Sequence, residues 1–399
     1  MAPDVARRRM LAAATPLPDI ETVPLVGANG RTLATDLTAL RTQPPFAASA
    51  MDGYAVRAAD LLTLSPLRVI GEAAAGYPFR GKIGPMEAVR IFTGAPVPPG
   101  ADSILIQENA TGVSDGIIVP TQAETAGRFV RPAGLDFRAG DQLLRAGIVL
   151  DARQIGLAAS MGYGTLPVRR RPRVAILSTG DELVLPGVAL REGQIVSSNA
   201  FALAAFVESR GGVALDLGIV PDHAAATAAA ITKAAQVADI VLTSGGASVG
   251  DHDFVQDALV TSGFRIDFWK IAVRPGKPLM FGKRDTTLCL GLPGNPVSSM
   301  VCAMIFLEPL LRQLLGQRNP DADRSERAIL GRALPANDLR EEYMRASIAR
   351  MDDGRLCATP FETQDSSIQR LMAQAEALLI RPAHAPAAEA GATCRILRL

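Results

Sequence analysis

The sequence predicts a multidomain chain of mixed α/β and β class, with a doubly wound α/β domain at its centre. Three observations carry that expectation. The 399 residues exceed one ordinary domain. From Arg170 onward, apolar β-type runs alternate with helical spacing, the rhythm of a parallel sheet covered by helices. Before that point, residues 46–136 hold short β runs broken by Gly/Pro turns, which reads as a mostly-β domain inserted into the chain.

In chain order, residues 1–45 begin with a short helix ending near Ala14. Residues 137–168 contain a second helix, for which Asp151 is a fitting N-cap. These two segments are expected to pack together as one discontinuous helical connector subdomain flanking the β insertion. Residues 169–320 form the α/β domain, ending in a long helix over 296–315. Residues 325–399 return to short β runs and read as a small C-terminal β domain.

Composition narrows the function classes. Lys plus Arg is 41 against 40 Asp plus Glu, so no basic excess marks a nucleic-acid or membrane-surface binder, and an anion site must be local. The four cysteines are dispersed and the three histidines scattered, which removes the usual zinc spacings and fits a reducing compartment. The Arg7-Arg8-Arg9 run leads into an apolar stretch that stops at Thr15-Pro16, short of a secretion signal's apolar core. A cytoplasmic enzyme is expected, with neither nucleic-acid nor membrane partner.

Four strings carry the chemistry. Ser178-Thr179-Gly180-Asp181-Glu182 follows an apolar strand, offering hydroxyls and amides to a phosphate and carboxylates to a metal or a ribose hydroxyl. Its bland alternative is a strand-loop in which Asp181 caps the next turn. Ser244-Gly245-Gly246-Ala247-Ser248-Val249-Gly250-Asp251-His252-Asp253 also follows a strand, and its glycines let the backbone curl around an oxyanion. Asp251 and Asp253 repel a bare phosphate, so a Mg²⁺ between them is expected; Asp253 can equally serve as an N-cap. It lacks both the P-loop Lys-Ser/Thr and a dinucleotide GxGxxG. Lys270, Arg274 and Lys277 lie within eight residues on a segment stiffened by Pro275 and Pro278. Their heads are expected to converge on an anion rather than form a solvated charge run. Finally, Pro293-Gly294-Asn295-Pro296 joins a strand to the long helix, with Asn295 as N-cap and Ser298 and Ser299 in the first turn, again suited to an anion.

Five strings in this order resemble the MoeA family of molybdopterin molybdenumtransferases, relatives of the gephyrin E domain. They are PPFAASAMDGYAV (44–56), FTGAPVPPGAD (92–102), STGDEL (178–183), SGGASVGDHDF (244–254) and GLPGNPVSS (291–299). The α/β part alone also resembles the MogA-type domains that adenylylate molybdopterin; the MDGYAV and TGAPVP strings favour MoeA. The resemblance implies four subdomains, a homodimer, and a cleft between the MogA-like domain of one subunit and the MDGYAV domain of the other. It implies an enzyme that takes adenylylated molybdopterin and molybdate, cleaves the pyrophosphate bond with Mg²⁺ assisting, and releases AMP. Positions matching functional family residues are Asp52, Thr93, Asp136, Glu182, Asp222, Asp253, Lys270, Lys277, Pro293 and Pro296, with Ser298 near the oxyanion site. Arg274 departs from the lysine common there, changing donor geometry while keeping charge. Arg345 and Ser366 resemble the oxyanion-site residues contributed by the C-terminal domain. The rival expectations are a MogA-like adenylyltransferase and a gephyrin-like scaffold; other cofactor-assembly proteins are expected partners.

Overall fold

Val174–Thr179 are all buried, so the strand Arg173–Thr179 needs neighbours on both edges and helices on both faces. In a computed structural model, which describes residues 1–245 and 254–399, it has them. Val213–Val220 pairs parallel on one side and Ile240–Ser244 on the other. Thr287–Leu292 continues the parallel set beyond Ile240–Ser244. The six-stranded sheet then departs from the expected all-parallel form. Met280–Arg284 pairs antiparallel with Thr287–Leu292, and Arg265–Trp269 antiparallel with Met280–Arg284. The reason is loop length: only Asp285 and Thr286 separate the first two strands, Asp285 at φ 52°. A two-residue link closes a hairpin and cannot cross over a sheet.

Two apolar layers cover this sheet. On one face, Leu203, Phe206 and Val207 from the helix Asn199–Ser209 join Val297, Val301 and Leu310. On the other, Ile231 and Ala234 of Ala224–Val237 meet Val255 and Leu259 of Phe254–Thr261. The expected long helix runs from Pro296 through Leu314, but a π-helical stretch, Ala303–Leu307, interrupts it. Pro309, at the start of the following helical stretch, has no N–H to give the carbonyl four residues earlier, and the wider π turn accommodates that. By length and composition this helix could cross a membrane, yet 72% of its most apolar window is buried inside the protein.

The N-terminal helix Pro3–Ala13 corrects one assignment. The sequence reading put residues 1–45 in the connector, but Ala6 and Met10 belong to the α/β core and pack near Leu310, Leu311 and Leu314. Only after Leu17 does the chain enter the connector. There Ile20–Pro24 pairs antiparallel with Thr165–Arg169, and Leu33, Leu37, Phe137, Leu150 and Met161 share one core. The helix Ala152–Met161 starts on a capping box between Asp151 and Gln154 and stops at Gly162, φ 105°.

Between these connector halves lies a six-stranded β sheet. Gly53–Val56 sits inside it, paired with Glu87–Ile91 and Ser103–Ile106. A Cβ at Gly53 would meet the Leu105 carbonyl oxygen at 2.1 Å, so that position of the MDGYAV string must be glycine for the strands to close. At the C-terminus, five strands (Glu326–Leu330, Glu341–Arg350, Leu356–Pro360, Ala377–Arg381 and Thr393–Arg398) close into a small barrel, because Glu341–Arg350 pairs also with Ala377–Arg381. The short strand Val273–Arg274 leaves the α/β domain and adds itself in parallel to this barrel.

Candidate functional site

All four parallel strands, ending at Thr179, Val220, Ser244 and Leu292, deliver their following loops to one cleft of about 760 Å³. Ligands of open α/β sheets sit at such carboxyl ends. The first strand end and its loop supply Ser178, Thr179, Gly180 and Glu182 to the wall, the second loop Asp222, the third strand end and its loop Ser244 and Gly245, and the fourth loop with the helix start Pro293, Gly294, Asn295, Pro296 and Ser298. Gly180 is required by its φ of 147°, which L side chains rarely adopt, and the Glu182 carboxylate oxygens lie 2.5 and 2.7 Å from where its Cβ would be. The turn thus folds Glu182 back over its own loop. Asp181 turns away from the cleft wall to accept the Asp222 N–H at 3.1 Å, tying the first two loops together.

The wall is rich in hydroxyls. Ser178 Oγ and Thr179 Oγ1 are buried and have no hydrogen-bond partner among the described residues. A buried hydroxyl left unpaired costs about 1–3 kcal/mol, and both residues also contribute to the cleft wall. Glu182 and Asp222 bring two exposed carboxylates to the same wall. Such hard oxygen donors suit Mg²⁺, which is commonly held by one or two carboxylates plus substrate phosphates. Thiols are kept out. Cys289 and Cys302 lie in the sheet core, where burial pushes the Cys289 thiol up to about 12 and Cys302 higher still.

Several anticipated residues stand elsewhere. Gly246, Gly250, Asp251 and Asp253 lie outside the described residues. Lys270, Arg274 and Lys277 do not line the cleft, although Pro278 does. The expectation of three converging cation heads fails clearly at Arg274. Its guanidinium pairs with Asp338 and with Glu342 Oε1 at 3.3 Å, both in the C-terminal part of the chain. Strand addition puts Arg274 opposite Glu342, and the carboxylates there claim the charge. The Lys270 ammonium lies 5.0 Å above the Trp269 ring, while Lys277 is exposed.

Asn295 holds the N-cap position, but its side chain does not cap. It donates to Ser366 Oγ at 3.1 Å, and the Val297 N–H donates to the Ser366 carbonyl at 3.2 Å. The C-terminal domain thus caps this helix. Ser366 therefore acts on the site through the helix start, and its neighbour Ser367 lines the cleft. Arg345, expected at the oxyanion, is only 1% exposed. Its guanidinium donates to the carbonyls of Ile368 (2.9 Å), Asp365 (2.9 Å) and Thr363 (3.3 Å), holding the loop that presents Ser366 and Ser367. Sequence reasoning missed Ser197, Ser198 and Asn199, which line the cleft from the start of a helix. The pair Ser-Asn before a helical run was a visible cap signal, but nothing in it pointed to the cleft.

Asp52, Thr93 and Asp136 form no part of this cleft wall. Asp52 Oδ1 accepts from the Thr93 backbone N–H at 2.7 Å and from its hydroxyl at 2.8 Å. These two bonds, the backbone one foremost, hold the carboxyl below its ordinary range, with Arg90 adding a smaller pull. Asp136 is exposed, its N–H bonded to the Gln43 carbonyl.

A hydroxyl-lined cleft at the carboxyl ends of a sheet, with two carboxylates and no thiol among the described residues, defines an α/β enzyme for an anionic small molecule. Three family models match the chain: MoeA N-terminal region (domain I and II) over 1–162, probable molybdopterin binding domain over 175–313, and MoeA C-terminal region (domain IV) over 327–399. The molybdopterin molybdenumtransferase of Haemophilus influenzae is 40% identical over 79% of this chain and 78% of its own. That of Bacillus subtilis is 33% identical over 95% and 90%. The solved molybdopterin biosynthesis moeA protein from Pyrococcus horikoshii OT3 superposes with a TM-score of 0.86 at 26% identity, covering both chains in full. The chain belongs to the MoeA family of molybdopterin molybdenumtransferases, and is a transferase of molybdenum cofactor biosynthesis.

Proposed function

We propose that this chain inserts molybdenum from molybdate into adenylylated molybdopterin, breaking the phosphoanhydride and releasing AMP. The single observation that carries this reading is the cleft itself, at the carboxyl ends of four parallel strands, whose wall bears Ser178, Thr179, Glu182 and Asp222. Backbone amides and hydroxyls hold phosphate oxygens there. Glu182 and Asp222, with Asp251 and Asp253 from the neighbouring segment, would hold Mg²⁺, whose charge offsets that of the phosphoanhydride. Ser367 and the helix start after Asn295 line the same cleft. Incubating the full chain with adenylylated molybdopterin, molybdate and Mg²⁺ should release AMP and yield active cofactor. Activity with ATP and free molybdopterin, independent of molybdate, would instead make it an adenylyltransferase.

The site is read as shared between two subunits in the cytoplasm. Asp52, Thr93 and Asp136 match functional family positions yet stand outside the cleft of their own chain, which supports a homodimer in which one subunit's β domain faces its partner's cleft. Light scattering at micromolar concentration should give about twice 41.9 kDa. A fully active monomer would sink this arrangement.

Asp52→Asn keeps an oxygen to accept both Thr93 donors, so its melting temperature should stay nearly that of the parent. AMP release should drop steeply, because the charge is lost. Thr93→Val removes the hydroxyl donor, so the Asp52 carboxyl should titrate closer to its ordinary value of about 3.9. The sign follows from linkage. A depressed carboxyl stabilises the fold above its unfolded pKa and loses that contribution as pH falls through the folded value. The variant should therefore be less stable than the parent at pH 7 and converge with it in acid, below the folded value, while an NMR titration of Asp52 reads the shift directly.

A further inference from the structure

Asn199 opens the helix Asn199–Ser209, and its side-chain nitrogen lies 2.7 Å from the Gly294 carbonyl oxygen and 2.9 Å from Ser244 Oγ. A carbonyl only accepts, so the atom facing Gly294 must be the amide nitrogen, and this settles the orientation of the group. Both amide hydrogens are then committed. One goes to the turn after the fourth parallel strand, the other to the last residue of the third. Ser244 Oγ, accepting from Asn199, keeps its own hydrogen, and among the described residues it donates that hydrogen to nothing.

We propose that Asn199 is a positioning residue that fixes the Ser244 hydroxyl as a donor to a phosphate oxygen of the ligand while holding the Gly294 turn at a set distance across the cleft. Ser244 and Gly294 are both on the cleft wall, as is Asn199. The proposal rests on the phosphate-holding reading of that cleft. The hydrogen-bond polarity is what gives it chemical content. Were Ser244 to donate to Asn199, it would meet an anion with lone pairs; accepting from Asn199, it meets the anion with a proton.

The test uses the full chain and AMP as probe, with binding measured by calorimetry beside the melting temperature. Asn199→Ala should weaken AMP at least tenfold with little change in melting. Asn199→Asp keeps the shape but offers oxygen in place of nitrogen. It should turn the Ser244 proton away from the ligand, repel the Gly294 carbonyl, and weaken AMP more than alanine does. Since a carboxylate repels AMP and the Gly294 carbonyl whatever Ser244 does, the double variant with Ser244→Ala is what isolates the positioning role. Because Asn199 acts through Ser244, adding Asn199→Ala to Ser244→Ala should cost much less than it does alone. Unchanged AMP affinity in Asn199→Ala, or fully additive effects with Ser244→Ala, overturns the proposal. A parent that binds AMP but releases none from adenylylated molybdopterin fails the proposed reaction and leaves the Asn199 test standing. A parent that does not bind AMP overturns both.

Discussion

Glu308→Gln should lower the melting temperature by on the order of 10 °C, a loss of about 3–5 kcal/mol in the α/β domain. Glu308 is 1% exposed and meets three guanidiniums. Arg324 donates to Oε2 at 2.6 Å, Arg210 Nε lies 3.2 Å from the same oxygen, and Arg312 lies 3.2 Å from Oε1. One carboxylate therefore joins the end of the helix Asn199–Ser209, the helix Glu308–Leu314 and the link to the C-terminal barrel. Burial pulls the Arg312 guanidinium below its usual range; Glu308 opposes this, and the like charges of Arg324 and Arg210 add to it. Glutamine keeps the volume but cancels the only negative charge among these four side chains, so three partly buried cations repel without compensation. Removing one partner of a buried ion pair costs far more than the pair contributes net. Glu308→Asp, which keeps the charge on a shorter stem, should retain part of the stability. Melting of the glutamine variant within a degree or two of the parent would show that solvent already screens the cluster.

The parts of this protein legible in the sequence were those set by local rules. Apolar runs of four or five residues ending in small hydroxyl residues placed Arg173–Thr179 and Ile240–Ser244, and with them Ser178, Thr179, Gly180 and Ser244 on the cleft wall. The Asp151 cap and the Pro293–Pro296 turn were equally local. What stayed hidden depended on partners far along the chain. Nothing near Arg274 announces Asp338 and Glu342, some 65 residues later, so a cation cluster on a stiff loop read as an anion site. Asn295 looked like an N-cap because its neighbours fit one, yet Ser366 of another domain takes its side chain. The helix Pro3–Ala13 carries no mark telling which core it joins, because its apolar positions would suit either. Burial decided each case, and burial is a property of the assembled chain.

Arg345→Met should loosen the loop from 363 to 368 and cost the C-terminal barrel about 3–4 kcal/mol. Arg345 heads the largest side chains fully enclosed in the protein, and its donors are spent on that loop. The carbonyls of Thr363, Asp365 and Ile368 accept from it, as does Gln364 Oε1 at 3.3 Å. Gln364 returns the favour by donating to the Arg345 carbonyl at 3.0 Å and to that of Phe361 at 2.9 Å. Burial pulls the guanidinium below its usual range, Asp365 opposing it, and the ring of carbonyls is what makes a cation acceptable there. Methionine fills the space but leaves three carbonyls without a donor. Lysine would restore the charge without the planar fork, and should recover only part of the loss. Because this loop sets Ser366 against Asn295 and Val297 and puts Ser367 on the cleft wall, its loosening should reach the site indirectly. Limited proteolysis of Arg345→Met should cut between 363 and 368 before the rest of the chain, with molybdate binding weakened in parallel. A variant whose loop stays protected and whose melting is unchanged, yet which no longer binds molybdate, would return Arg345 to direct contact with the oxyanion.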